Sequence, residues 1–207
     1  MMRLPYAAVL AAALTITLAA CSGSKSSSTA PYGTGDPSLG AANPMGGPVD
    51  PFLTDGQAVT NAIDAVAARA GQPLRIMMIN ASAAGGLTID IRDPHKRGNL
   101  NRYQVAPTGT VFGPIPMQLI SEGRPVTAEE IDRQAFDPKA VNFARLAQAE
   151  RDALTQAKIP DARVVVWSMA GIRPNDHRSI ILEYSGGRVA VILDPQLNIV
   201  RLQRYGR

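Results

Sequence analysis

The chain reads as an α+β protein, two α-β-β-β repeats whose strands form antiparallel sheets with the helices packed on one face. Three observations predict this. Two stretches carry apolar residues at helical spacing, each is followed by runs whose apolar residues fall at every second position, and the two segments repeat the same order of elements. At an offset of 88 residues, Val66 falls on Leu154, Arg75 on Arg163 and Ile76 on Val164, so the match lies in order more than in letters.

The first unit is expected over residues 53–120. Thr54-Asp55-Gly56-Gln57 reads as a capping box, after which Ala58, Ala62, Ile63, Val66, Ala67 and Ala70 share a helical face until Gly71 and Pro73 stop the helix. Residues 74–81 form an apolar run suited to a buried strand. Leu87, Ile89 and Ile91 then alternate with Thr88, Asp90 and Arg92, and residues 103–119 read as two further extended pieces around Pro107-Thr108-Gly109. Over 121–140, Thr127-Ala128-Glu129-Glu130 is a second capping box, starting a short linker helix that Phe136-Asp137-Pro138 closes.

The second unit, 141–207, repeats the order. Asn142 is placed to cap a helix whose Phe143, Leu146, Ala147, Leu154 and Ala157 share one face, and Ile159-Pro160 ends it. Residues 162–169 are a strand run, Ile180, Leu182 and Tyr184 alternate, and 188–193 form a third strand. Asp194-Pro195-Gln196-Leu197-Asn198 then reads as a hairpin loop into 199–203, with Pro195 pre-setting the turn. Neither half alone buries both faces of its elements, which predicts two curved sheets side by side or one continuous sheet under two helices.

What precedes these units is of a different kind. Arg3, the apolar run 6–18 and the small pair Ala19-Ala20 before Cys21 read as a signal peptide over 1–20. Those thirteen apolar-run residues, interrupted by Thr15 and Thr17, fall short of the ~20 that a helix needs to cross a bilayer. Leu18-Ala19-Ala20-Cys21 resembles the site at which bacterial prolipoproteins are lipidated and cut. The resemblance implies a diacylglyceryl group on the Cys21 thiol and an acylated, palmitate-type N-terminus in the cell envelope. The protein would face away from the cytoplasm, at the outer face of the plasma membrane or at an outer membrane. Two or three acyl chains, each gaining roughly 0.8 kcal/mol per buried methylene, hold a protein on a membrane almost permanently. Residues 21–52 then serve as a tether: 22–29 are mostly serine, 31–51 are rich in Gly and Pro, and large apolar side chains are too few to offset the entropy of ordering.

Cys21 is the only cysteine, so once lipidated it leaves no disulfide, and the folded part must stand on apolar burial. Removing Arg3 and no acid from 21 basic and 17 acidic residues leaves a net charge of +3, too little and too scattered for a nucleic-acid surface.

The helix ending before Pro73-Leu74-Arg75-Ile76, its counterpart before Asp161-Ala162-Arg163-Val164, and the closing strand from Gly187-Arg188 to Leu193-Asp194 resemble the tandem PepSY-like modules of bacterial lipoproteins, over 54–203. The resemblance implies a binding, regulatory or peptidase-modulating module. No residue of this chain matches a catalytic position of the family.

The strongest candidate for contact chemistry is Arg92-Asp93-Pro94-His95-Lys96-Arg97, with Pro174-Asn175-Asp176-His177-Arg178 in a comparable loop of the second unit. Arg92, His95, Lys96, Arg97, His177 and Arg178 would form a basic contact surface. The two histidines sit beside aspartates, but the spacing fits no metal motif, and no cofactor signature is present. Ser168 and Ser185 lack the setting of a catalytic nucleophile. Glu129, Glu130 and Asp132 belong on a short helix where acids favour the N-terminus, and Trp167, Tyr184 and Phe143 read as core anchors. Asn80-Ala81-Ser82 fits a glycosylation acceptor but falls inside a strand run.

These features predict a lipid-anchored, non-enzymatic protein that binds an envelope protein or a wall polymer. The alternatives are a modulator of an envelope enzyme such as a peptidase, or a carrier of an apolar ligand, which requires an Ile- and Val-lined cavity between sheet and helices.

Overall fold

The inner strands alternate side chains so consistently that a single sheet can carry one apolar face from β3 across to β9, and this is what the computed structural model shows. It describes residues 50–83, 85–121, 123–171 and 178–205. In chain order these form α1 (Pro51–Thr54), α2 (Gly56–Ala70), β1 (Ile76–Ser82), β2 (Leu87–Arg92), β3 (Leu100–Val105) and β4 (Val111–Met117). A small ribbon of β5 (Ile120–Ser121) and β6 (Arg124–Pro125) follows, then α3 (Ala128–Gln134), α4 (Leu146–Ala157), β7 (Arg163–Ala170), β8 (Arg178–Tyr184), β9 (Gly187–Leu193) and β10 (Ile199–Tyr205).

The protein is α+β, with one eight-stranded sheet in the order β10-β9-β8-β7-β1-β2-β3-β4. Every pairing in it is antiparallel. Two four-stranded meanders thus meet through their first strands. Asn80 and Ser168, which the offset of 88 equates, face each other across that seam. Each half contributes four strands, one more than an α-β-β-β unit has; the additional ones are β4, the second extended piece read within 103–119, and β10, the strand that the hairpin at Asp194–Asn198 leads into.

Ile79, Ala81, Ile89, Tyr103, Trp167, Met169, Ile180 and Val191 share one sheet face and form a single core with Val59, Ile63 and Val66 of α2 and Leu146, Ala149 and Ala153 of α4. Alternation breaks at the bulge between Ile76 and Met78, so Met77 is also buried, in a second small cluster with Leu100, Ile131 and Ala135. The expected linker helix is therefore a packing element. The two-way backbone bridge between Ile76 and Phe136, at 2.9 Å each way, extends β1 by a pairing outside the meanders.

Helix boundaries differ from expectation, each for a local reason. Asp55, not Thr54, caps α2 through a 2.8 Å bond from the Gln57 amide, because Thr54 closes the preceding turn of α1. The expected box at Thr127 is present, with the Glu130 amide donating to Thr127 Oγ1 at 3.3 Å and the Thr127 amide to Glu130 Oε2 at 2.8 Å. Asn142 makes no capping bond; a 3-10 turn over Phe143–Arg145 leads into α4 instead. That turn brings the Phe143 carbonyl against Gly56, where an added Cβ would stand 1.8 Å from the oxygen, so only glycine lets α2 start there.

The tether ends earlier than composition suggested. Asp50 is buried, its Oδ1 accepts the Phe52 amide at 2.9 Å and its Oδ2 the Gly86 amide at 2.5 Å. Phe52 and Leu53 are only 3% exposed, and α1 lies against both β1 and β7. Asp50-Pro51 is a cap followed by proline at the first helical position, a local start signal embedded in a Gly/Pro-rich stretch.

Candidate functional site

The sheet's register brings the loop after β2 and the start of β8 to the same end of the sheet. The loop after β2 begins at Arg92, whose strand pairs with the start of β1, while β7, ending at Ala170, pairs with β1 beside Met78. Arg92, His95, Lys96 and Arg97 thus belong to the same end of the sheet as Arg178, the half-buried first residue of β8 opposite Met169. The two loops are not equivalent in strand order, because one follows a second strand and the other a first. His177 lies outside the described residues, as do Cys21 and the whole signal and lipidation motif.

The first loop is built on Asp93. Its Oδ1 accepts the amides of His95 at 2.8 Å and Lys96 at 3.1 Å, and its Oδ2 the Asn101 side chain at 3.1 Å. Partial burial opposes the charge, but the His95 amide, Asn101 and the Lys96 amide outweigh it and hold the carboxyl below its usual range. The His95 ring lies over the C-terminus of α2. A Cβ on Gly71, which has φ +96°, would come within 3.0 Å of its Nε2.

The arginines of the loop turn back onto α3. The Arg92 guanidinium meets Asp132 Oδ1, Arg97 Nε lies 2.9 Å from Asp132 Oδ2, and Arg97 reaches Glu129 at 3.7 Å. Arg92 above all, with Arg97, holds the Asp132 carboxyl below its ordinary value. Arg92, Lys96 and Arg97 are therefore matched in number by Asp93, Glu129 and Asp132, and the exposed groups of the loop are His95, Lys96 and Arg97. The acids of α3, expected to serve the helix terminus, serve this loop as well. Glu130 has a different partner, Arg124, at 2.6 and 2.9 Å; that bond and the Thr127 amide bring its carboxyl down to about 2.

Two charged groups with no motif around them are more deeply placed. Asp90 is 3% exposed on β2 and receives a bidentate bond from Arg102 on β3, at 2.7 and 2.8 Å. The alternation of β2 marks Asp90 as outward, and outward it is; pairing, not solvent, satisfies it. Asp90→Ala is expected to lower stability by about 2 kcal/mol in urea unfolding, since it strands the guanidinium of a half-buried pair. An unchanged unfolding midpoint would show that water replaces the pair without loss. Glu150, 5% exposed on the buried face of α4, is the other. Burial pushes its carboxyl up to about 8, only partly opposed by Arg151, and its Oε1 has no hydrogen-bond partner among the described residues.

Between helices and sheet lies the main apolar core. Trp167 is 1% exposed, its ring 6.3 Å from that of Phe143 and its Nε1 donating to the Phe52 carbonyl at 2.6 Å. A groove of about 250 Å³ lies instead at the rim, lined by Gly86, Thr88, Gln104, Val105, Pro107 and Phe112. Among the described residues no group of three or more His, Cys, Asp or Glu side chains is placed to hold a metal ion, and no helix is long and apolar enough to cross a membrane.

No protein-family profile matches the chain, and no curated protein matches it. One solved structure is similar, that of a candidate lipoprotein from Clostridium difficile 630, with a TM-score of 0.51 and 14% identity over 79% of this chain and 99% of that one. The likeness is one of fold. It extends over nearly all of the clostridial chain, so the helix-backed sheet is an architecture that an independent sequence also adopts.

Proposed function

We propose that this protein is a lipid-anchored lipoprotein of the bacterial cell envelope, held by acyl chains on Cys21 and acting by binding rather than by chemistry of its own. The observation that carries the reading is Leu18-Ala19-Ala20-Cys21 after a short apolar run and before a Ser-, Gly- and Pro-rich stretch that ends where Asp50 enters the fold. Its fold likeness to a candidate lipoprotein supports the same reading. Its helices and strands resemble the PepSY-like binding and regulatory modules of bacterial lipoproteins, and the reading takes that role for it. Its partner would be an envelope protein or a wall polymer.

The test has two parts. Expressed in a bacterial host with an alkyne-tagged fatty acid, the wild-type chain is expected to take up label and sediment with membranes, and Cys21→Ser is expected to lose both. Equal labelling of the two chains would refute the anchor. The Cys21→Ser chain, immobilised and exposed to solubilised envelope proteins and to purified wall polymer, is then expected to retain one of them. Retention of neither would refute the binding reading.

A further inference from the structure

Much of the large apolar surface that the described residues leave in solvent is gathered on one edge of the sheet. Phe112 and Ile115 of β4 and Ile120 of β5, 53%, 46% and 61% exposed, fall within nine residues of chain. Phe112 lies opposite Gln104 and Ile115 opposite Arg102, next to the core residues Tyr103 and Val105, so both side chains point away from the helix-covered face. From Gln104 to Ser121 the sequence contains no Asp, Glu, Lys, Arg or His, which separates this edge from an ordinary solvated strand. Arg102 is neutralised by Asp90, and at the end of the patch the exposed Arg69 donates from Nη1 to the Val111 carbonyl at 2.7 Å. Contiguous apolar surface of this kind marks contact with a protein or a membrane.

Two features select the membrane. Pro114 and Pro116 remove two backbone donors from the free edge of β4, which opposes an added protein strand and leaves fewer groups that lipid could not satisfy. The chain also enters the fold at this rim: Asp50, the first described residue, accepts the Gly86 amide, and Gly86 and Phe112 line the same groove. Between Cys21 and Asp50 lie 28 residues, and a Gly- and Ser-rich chain of that length has an r.m.s. reach of about 30 Å. The seven strand spacings from β4 to β10 span roughly 34 Å. An anchor on Cys21 therefore keeps the β4 rim, more than the β10 edge, concentrated beside the lipid.

We propose that Phe112, Ile115 and Ile120 dock this edge onto the bilayer that carries the Cys21 anchor, entering the boundary between headgroups and acyl chains. The inference deepens the lipoprotein reading above and rests on its anchor. Apolar burial at that boundary supplies the attraction, the anchor supplies the local concentration, and the positive charge of Arg69 suits anionic headgroups.

The experiment uses the full mature chain, coupled through its single cysteine to a maleimide lipid in vesicles of phosphatidylglycerol and phosphatidylethanolamine, so that it does not depend on lipidation in a cell. Phe112→Trp is the reporter, read with bromine on the acyl chains, and Ile115→Trp serves if the first variant fails to fold. Either is expected to lose about half of the added tryptophan emission, while Val200→Trp on the β10 edge and the wild type, whose Trp167 is buried, keep theirs. Without coupling, the Cys21→Ser chain is expected to sediment with the same vesicles about fivefold more than the same chain carrying F112S/I115S. Equal quenching at positions 112 and 200, or none at 112 and 115, would overturn the docking. An envelope protein whose retention on the immobilised chain is lost in F112S/I115S, with no quenching by lipid, would assign the patch to a protein partner and overturn it as well. Absence of acyl label on Cys21 in cells removes the anchor reading by itself, whereas absence of quenching on coupled vesicles removes only the docking.

Discussion

Trp167→Ala is expected to lower stability by about 4 kcal/mol, the largest loss from any single side chain of this core. Trp167 sits on β7 next to the seam with β1, opposite Ala81 and Ile180, and its indole N–H is the bond that ties α1 to the sheet through the Phe52 carbonyl. Truncation removes the ring contact with Phe143, opens a cavity that rigid strands on both sides cannot close, and leaves the Phe52 carbonyl without its donor. Trp167→Phe separates the terms: most of the apolar volume stays and the hydrogen bond goes, for an expected loss of about 2 kcal/mol. As Trp167 is the only tryptophan, the unfolding curves are to be followed by far-ultraviolet circular dichroism. A loss below about 1 kcal/mol in the alanine variant would mean that the seam repacks and that α1 is not held as described.

The second large effect has the opposite sign. Glu150→Gln is expected to stabilise the protein by about 3 kcal/mol at pH 7 and not at all at pH 4. The native carboxyl is pushed up to about 8 by burial, from an ordinary value of 4.5. As pH rises past 4.5 the unfolded chain releases this proton while the native state keeps it, so stability falls steadily until about pH 8 and then levels off. Glutamine keeps the shape and removes the titration. Asp93, Glu130, Asp132, Asp161, Glu183 and Asp194 act in the other direction, since their native values are lowered and their contribution disappears in acid. They are common to both chains and cancel in the difference. Urea midpoints at pH 4, 7 and 8.5 are the measurement, and a constant difference between the chains across that range would exclude a buried, titrating Glu150.

Much of the strand content is legible because one face of the sheet is dry along its length. Leu87-Thr88-Ile89-Asp90-Ile91 and Ile180-Ile181-Leu182 alternate in or out of the core as a period of two requires. The edge strands are harder to read for the converse reason: β4 and β10 bury little, so packing imposes no pattern on them. Caps are legible where a single box stands alone, as at Thr127, and ambiguous at Thr54, where a short helix runs directly into the next. Glu150 carries no signal because, between Ala149 and Ala153, it makes the buried stripe of α4 look broken, when the stripe is continuous through a carboxyl.

The candidate site divides in the same way. Arg92, His95, Lys96 and Arg97 announce a charged loop from their composition alone, but the number of charges left over depends on Asp132 and Glu129, which lie some 35 residues further along the chain. No spacing rule connects them. The register of β1 with β2, together with the cluster of Met77, Leu100 and Ile131, brings α3 to that loop.

The α+β class, the helices and central strands of both halves, the single cysteine and the address it implies are all written locally in the chain, since each follows from periodicity, composition or a short contiguous motif. Long-range packing alone settles that the strands make one sheet of eight, that α3 packs outside the main core, and that Asp50 anchors the incoming chain. Those outcomes depend on which distant segments meet, and the energy that selects among meetings is apolar burial, which is non-directional and leaves no local mark in the chain.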